Sequence, residues 1–240
     1  QARSVTATFN APGGGPPSAE YVLVFSDEFS GPSLDTSKWN TLPKWGVVIN
    51  NELQAYVSDA FYFHDGVMDI KTEKRDGYQS GQLKHYTSGM ISSHNKFEQQ
   101  YGYFEIRAKL PPEWLWPAFW MMGRNVRAGG AGREYDIMER LSYRPAGEVQ
   151  SVMHWDGYGA EHKAEGTNWI VSPWNDFHTY GLEWQPGFSK FYYDGRLMYT
   201  TTNSASEPEW MMVNTAVDGS VKDSLLPAVF SIDYVRVYQK

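Results

Sequence analysis

From Tyr21 onward, short runs rich in Val, Ile, Tyr, Phe and Trp recur along the chain. Turn-forming pairs punctuate them: Asp65-Gly66, Asp76-Gly77, Pro186-Gly187, Asp194-Gly195 and Asp218-Gly219. β-branched and aromatic side chains fit a pleated, half-buried surface, and a glycine after Asp or Pro supplies the left-handed backbone of a tight turn. That cadence predicts an all-β antiparallel sandwich. A helical fold would need apolar residues at a period of 3.6, and no window of a dozen residues shows such a stripe; Ser33–Trp39 is expected to form a short turn of helix. No Pro/Gly-rich linker divides the middle of the 240 residues, so a single domain over 20–240 is expected. Residues 1–19, with Pro12-Gly13-Gly14-Gly15-Pro16-Pro17 among them, read as a flexible N-terminal tail or linker remnant.

Charge and composition narrow the partners. The balance is mildly acidic, 21 Lys+Arg against 28 Asp+Glu, with no basic stripe, which argues against nucleic acid or an anionic membrane surface. The chain has no cysteine, so neither a disulfide framework nor thiol chemistry is available. No apolar run reaches the length of a membrane span, and no signal peptide opens the sequence at Gln1. These features fit a mature, secreted monomer. Aromatic residues make up 16% of the chain, more than a core of this size requires, and sugar rings present flat C–H faces that stack on such rings.

The chemistry is concentrated in Glu134-Tyr135-Asp136-Ile137-Met138-Glu139. In a strand, Glu134 and Asp136 share one face and Tyr135 and Ile137 the other, so Glu139 falls out of phase. A one-residue β-bulge around Ile137 and Met138 restores the phase and gathers the three carboxyls. Crowded like charges raise at least one pKa, a cost usually tolerated for function. Hydrolysis of a glycosidic bond with retention needs a carboxylate nucleophile and a carboxylic acid about 5–5.5 Å apart. The expected roles are Glu134 as nucleophile, Asp136 as the neighbour that tunes its charge, and Glu139 as acid and then base. Taken alone, the triplet also reads as a solvated acidic strand face.

Upstream of the acids lie Tyr101-Gly102-Tyr103-Phe104-Glu105-Ile106-Arg107 and Leu115-Trp116-Pro117-Ala118-Phe119-Trp120-Met121-Met122-Gly123. With Asp27-Glu28-Phe29, Asn50-Asn51-Glu52-Leu53-Gln54, Asp176-Phe177-His178, Glu183-Trp184 and Asp233-Tyr234-Val235-Arg236, they make the chain resemble glycoside hydrolase family 16 in its bulged-motif form. The match covers nearly everything after about residue 20. The resemblance implies a β-jelly roll of two curved, stacked sheets with the cleft on the concave sheet. It implies an endo-acting, retaining hydrolase of a β-linked polysaccharide, laminarinase-like on β-1,3-glucan, with no cofactor for catalysis. A galactan substrate is the alternative, because Met90, Asp218 and the His154-Trp155-Asp156-Gly157 loop depart from the laminarinase pattern. A non-catalytic sugar-binding protein is a third, disfavoured by the intact acids.

The resemblance also assigns residues. Asn51, Glu105, Arg107, Trp116, Trp120, His154 and Trp155 are expected to bind substrate. Alternation along Tyr103–Lys109 puts Glu105 and Arg107 on one face and Phe104, Ile106 and Ala108 toward the core; a solvated ion pair is the other reading of Glu105 and Arg107. Trp120 shares parity with Ala118 and Met122 and is expected in the cleft, while Pro117 leaves the phase of Trp116 open. Asn51 also reads as a turn asparagine. Many relatives hold a structural calcium, for which the matching positions are Glu28 and Gly66, through backbone carbonyls, and Asp233, through its carboxylate. His154, His162 and His178 lack the spacing of a zinc site.

Overall fold

A computed structural model describes residues 14–42, 50–112 and 114–240. The strands are β1 (Val22–Asp27), β2 (Gln54–Tyr56), β3 (Phe61–His64), β4 (Val67–Thr72), β5 (Gly77–Gln79), β6 (Gln82–Lys84), β7 (Tyr86–Ser88) and β8 (Met90–Ser92). They continue with β9 (Gly102–Lys109), β10 (Trp116–Gly123), β11 (Glu134–Glu139), β12 (Glu148–Trp155) and β13 (Lys163–Ile170). The last five are β14 (Phe177–Gln185), β15 (Phe188–Tyr193), β16 (Arg196–Thr201), β17 (Glu209–Ala216) and β18 (Ala228–Gln239).

Two antiparallel sheets carry the fold. One runs β16-β15-β14-β9-β18-β4-β3, with β1 also pairing with β18; the other runs β13-β12-β11-β10-β17-β8. This is the expected all-β jelly roll. The turn pairs act as read: Asp65-Gly66 joins β3 to β4 and Asp194-Gly195 joins β15 to β16, all four residues having positive φ, while Gly187 (φ +80) closes the β14–β15 turn. Ser33–Trp39 forms only a turn, in which the Asp35 carbonyl accepts from the N–H groups of Lys38 and Trp39.

Between the sheets the faces interdigitate. Phe104, Ile106 and Ala108 of β9 and Tyr180, Leu182 and Trp184 of β14 meet Phe119 and Met121 of β10, Tyr135 of β11 and Val213 of β17 in one core. Burying each large apolar side chain contributes about 1.5–3 kcal/mol, so this layer fixes the two sheets against each other. Ile137 and Met138 both lie in it at 0% exposure, although they are consecutive. Two neighbours on one face is what a bulge does to a strand.

Part of the expected tail is held in place. Gly15 N donates to Glu105 Oε2 at 2.8 Å on the outer face of the larger sheet, and a Cβ on Gly14 would meet Thr179 and Tyr234 at 3.0 Å. Residues 1–13 of that tail lie outside the described residues.

Candidate active site

The bulge is resolved by register on both sides of β11. Against β10, Phe119 pairs with Met138 and Trp120 with Asp136, one step against two; against β12, Val152 pairs with Asp136 and Gln150 with Glu139, two steps against three. The extra residue leaves a backbone carbonyl without its ladder partner, and Ser151 Oγ donates to that Ile137 carbonyl at 2.6 Å. Tyr135, on the core side, anchors the strand to the other sheet: its hydroxyl lies 3.1 Å from Ser189 Oγ and accepts from Ala205 N at 2.7 Å. Glu134, Asp136 and Glu139 therefore share one outward face. They line a cleft of about 740 Å³ on the outer face of the six-stranded sheet.

Neighbouring side chains orient each acid. Trp116 Nε1 donates to Glu139 Oε1 at 2.6 Å, and Gln150 donates to Glu139 Oε2. Buried Arg140 fixes the approach to Trp116, since its guanidinium donates to the carbonyls of Pro111, Pro112 and Leu115. His154 Nε2 lies 3.1 Å from Asp136 Oδ2, and its Nδ1 lies 2.9 Å from His162 Nε2. The Tyr158 hydroxyl donates to Glu134 Oε2. Glu134, Asp136 and His154 each bring one polar atom within 4.8 Å of the others, close enough for their charges to act on one another.

Burial, then the Asp136 charge, push Glu134 up to about 8, while the Tyr158 hydrogen bond and the charge His154 can carry pull it down. Burial and the Glu139 charge push Asp136 well above the carboxylate range. The cluster therefore keeps a proton near neutrality, and Asp136 is its keeper. A neutral Asp136 removes the second largest pressure on Glu134, and the Tyr158 donor favours the charged form, so Glu134 is the member left to ionise.

Of the residues expected to bind substrate, Trp116, Trp120 and His154 line the cleft. Pro117 does not reset the phase: Trp116 pairs with Ala216 in an unbroken β10–β17 ladder. Four assignments are corrected. Glu105 and Arg107 face away from the core as alternation required, but β9 belongs to the other sheet, so the whole sandwich separates them from the acids. There Glu105 accepts from Gly15 N and from the hydroxyls of Tyr103 and Tyr234, and Arg107 pairs with Asp233 at 2.6 Å. Trp155 packs against the core, because it takes the face of β12 opposite to His154. Asn50 lines the cleft and its neighbour Asn51 does not, although both have left-handed backbone (φ +54 and +58) and both are exposed.

The positions assigned to calcium carry ion pairs. Register brings Glu28, Gly66 and Asp233 near one another, with Asp27 opposite Val235 and Ile232 opposite Met68. The Asp233 carboxylate is committed to Arg107, and Glu28 accepts from Arg236 at 2.9 and 2.7 Å. Asp233 is the one side-chain ligand of the assignment, and its carboxylate is shared with a guanidinium; the Glu28 pair uses side-chain oxygens and does not involve the backbone carbonyls of Glu28 and Gly66, the other assigned ligands.

Residues not singled out from the sequence complete the site. Trp120 Nε1 donates to Asn214 Oδ1 (2.8 Å), Asn214 Nδ2 to the Tyr56 hydroxyl (3.0 Å), and that hydroxyl to Glu52 Oε2 (3.2 Å). The parity of β12 carried a signal for Gln150, two positions from Val152 and four from His154 on one face. Tyr158 and His162 sit on a loop, where no period applies.

Comparison with known proteins agrees with this geometry. Residues 50–228 match the family model of the Glycosyl hydrolases family 16. The chain is 32% identical over 264 residues to glucan endo-1,3-beta-glucosidase A1 of Niallia circulans, covering 91% of this chain and 38% of that protein. It is 31% identical over 250 residues to a beta-glucanase of Rhodothermus marinus, covering 90% of this chain and 85% of the relative. The crystal structure of LamAcat from Zobellia galactanivorans superposes with a TM-score of 0.79 at 31% identity, over 90% of this chain and 97% of that one. Fold, acid motif and sequence agree, and the chain belongs to the glycosyl hydrolases of family 16.

Proposed function

We propose that this chain is an endo-acting, retaining glycoside hydrolase that cleaves internal β-linkages of a polysaccharide, β-1,3-glucan in the first instance. The observation that carries the reading is the bulge that sets Glu134, Asp136 and Glu139 over one cleft. Glu139, held by Trp116 and Gln150, gives its proton to the departing glycosidic oxygen while ionised Glu134 attacks the anomeric carbon from the opposite face. Glu139 then takes a proton from water, which displaces Glu134 and restores the β configuration. Asp136 keeps its own proton and so leaves the negative charge on Glu134. An open cleft lined by Trp116 and Trp120 suits a chain that enters along its length.

The glucan assignment is supported by the two relatives, one a glucan endo-1,3-beta-glucosidase and the other a beta-glucanase. We propose that the enzyme works outside the cell, where a polymeric substrate is met, as a monomer with neither membrane nor nucleic acid as partner. Among the described residues no helix is long and apolar enough to cross a membrane. Incubation with laminarin, lichenan, agarose, carrageenan and mucin-type glycans, with product sizing and proton spectra, tests the reading. Laminarin yielding a ladder of oligosaccharides with the β-anomer formed first is expected. Release of single sugars from chain ends, or the α-anomer first, would overturn it.

A further inference from the structure

Glu52 lines the cleft yet has no part in the acid cluster. It is 6% exposed, and one oxygen, Oε2, accepts from Gln54 Nε2 at 2.7 Å and from the Tyr56 hydroxyl at 3.2 Å. No hydrogen bond from the described protein residues reaches Oε1. The carboxyl is thus fixed at one end and open at the other. Around it the wall is apolar: Met90 packs in one cluster with Tyr56, Ala118 and Trp120. A cationic side chain at position 90 would neutralise Glu52, and methionine does not. Lys84, whose charge acts on the Glu52 carboxyl, gives its ammonium to the Glu52 backbone carbonyl at 3.0 Å.

The described lining of the cleft holds acids and two histidines. Four carboxyls line it, those of Glu52, Glu134, Asp136 and Glu139; among the described residues no lysine or arginine does. We infer that Glu52 is a specificity-determining residue whose Oε1 accepts a hydrogen bond from a hydroxyl of an uncharged sugar, and that a cleft whose described lining offers acids but no lysine or arginine rejects sugars bearing sulfate or carboxylate. This rests on the glycosidase reading above and deepens it, naming uncharged β-linked polymers as the substrate class. A sulfate brought beside a fixed carboxylate meets like charge and loses water without gaining a partner.

The test uses one backbone in two forms, laminarin and laminarin carrying sparse sulfate, with the wild type, Glu52→Ala, Glu52→Gln and Met90→Arg. The wild type should show a kcat/KM at least tenfold lower on the sulfated polymer, with part of the gap closing at about 0.5 M salt, where charges are screened within a few ångströms. Glu52→Ala should raise KM for laminarin about tenfold with kcat nearly unchanged, the scale of one hydrogen bond to a charged acceptor. Glu52→Gln keeps acceptors for Gln54 and Tyr56, so it reports on charge without loss of the fold; it and Met90→Arg should narrow the gap between the two polymers. Equal kcat/KM on both polymers, a gap indifferent to salt, or an unchanged KM in Glu52→Ala would overturn the inference. If laminarin is not cleaved but a neutral galactan is preferred to its sulfated form, the glucan reading fails and this one stands. If nothing is hydrolysed, retardation in native gels holding either polymer decides: preference for the neutral form supports the inference, and equal or reversed retardation refutes it.

Discussion

Replacing Glu134 with Gln should stabilise the protein, and increasingly so as the pH rises. With Asp136 charged, burial and that charge raise the carboxyl in the fold from its ordinary 4.5 to about 8; an Asp136 that keeps its proton leaves burial as the main cause, so 8 is the upper end. Below about pH 4.5 the folded and unfolded chains both hold the proton, and the substitution is nearly neutral. Between 4.5 and that upper end the unfolded chain ionises ahead of the fold, so wild-type stability falls by up to about 1.4 kcal/mol per pH unit. Above 8 the loss is complete, with an upper bound of about 5 kcal/mol. Glu134 keeps some contact with water, and halving for screening leaves roughly 2 kcal/mol, or about 5 °C in Tm for a domain of this size. Gln keeps an oxygen to accept from Tyr158, so the hydrogen bond is not lost with the charge. The assay is Tm from pH 4 to 9 for both proteins. Curves that diverge above pH 5, with the variant higher, are expected; parallel curves would refute the account of a strained, proton-hungry nucleophile.

Three further outcomes follow from the same geometry. Ser151→Ala removes the donor to the bulge carbonyl of Ile137, leaving a buried acceptor unpaired; a loss of about 1–3 kcal/mol in urea unfolding and a fall in kcat are expected. Tyr158→Phe takes away a donor that favours ionised Glu134, so its pKa rises and the acid limb of the kcat/KM profile moves to higher pH; a limb that stays or moves down contradicts the assignment. Glu105→Ala deprives Gly15 N and the hydroxyls of Tyr103 and Tyr234 of their acceptor, so Tm should drop while KM for polysaccharide is unchanged, because Glu105 is on the far side of the sandwich.

How far the sequence reaches is visible in particular residues. Alternation gave the two faces of β9 and β10, and the misfit of Glu139 gave the bulge, because a period of two is a property of the backbone. Alternation names a face and not a sheet. Glu105 and Arg107 were placed on the polar side of β9, yet only the pairing of β9 with β14 and β18 tells that this side looks away from the cleft. Trp155 failed for the reverse reason, since its parity with His154 already assigned it to the core. Asn50 and Asn51 lie in consecutive left-handed conformations, where no strand period decides which side chain faces inward. Glu52, Tyr56 and Asn214 come together from β17 and the chain around β2, a contact that no spacing within one segment contains.

The division of labour between Glu134 and Glu139 is tested most directly by azide rescue. In Glu134→Ala the attacking face is empty, so azide should restore turnover of an activated β-glycoside and give the α-glycosyl azide. In Glu139→Ala the glycosyl intermediate on Glu134 still forms, and azide should intercept it to give the β-glycosyl azide. The same anomer from both variants, or rescue of neither while Asp136→Ala is rescued, would contradict the placement of nucleophile and acid on either side of the bulge.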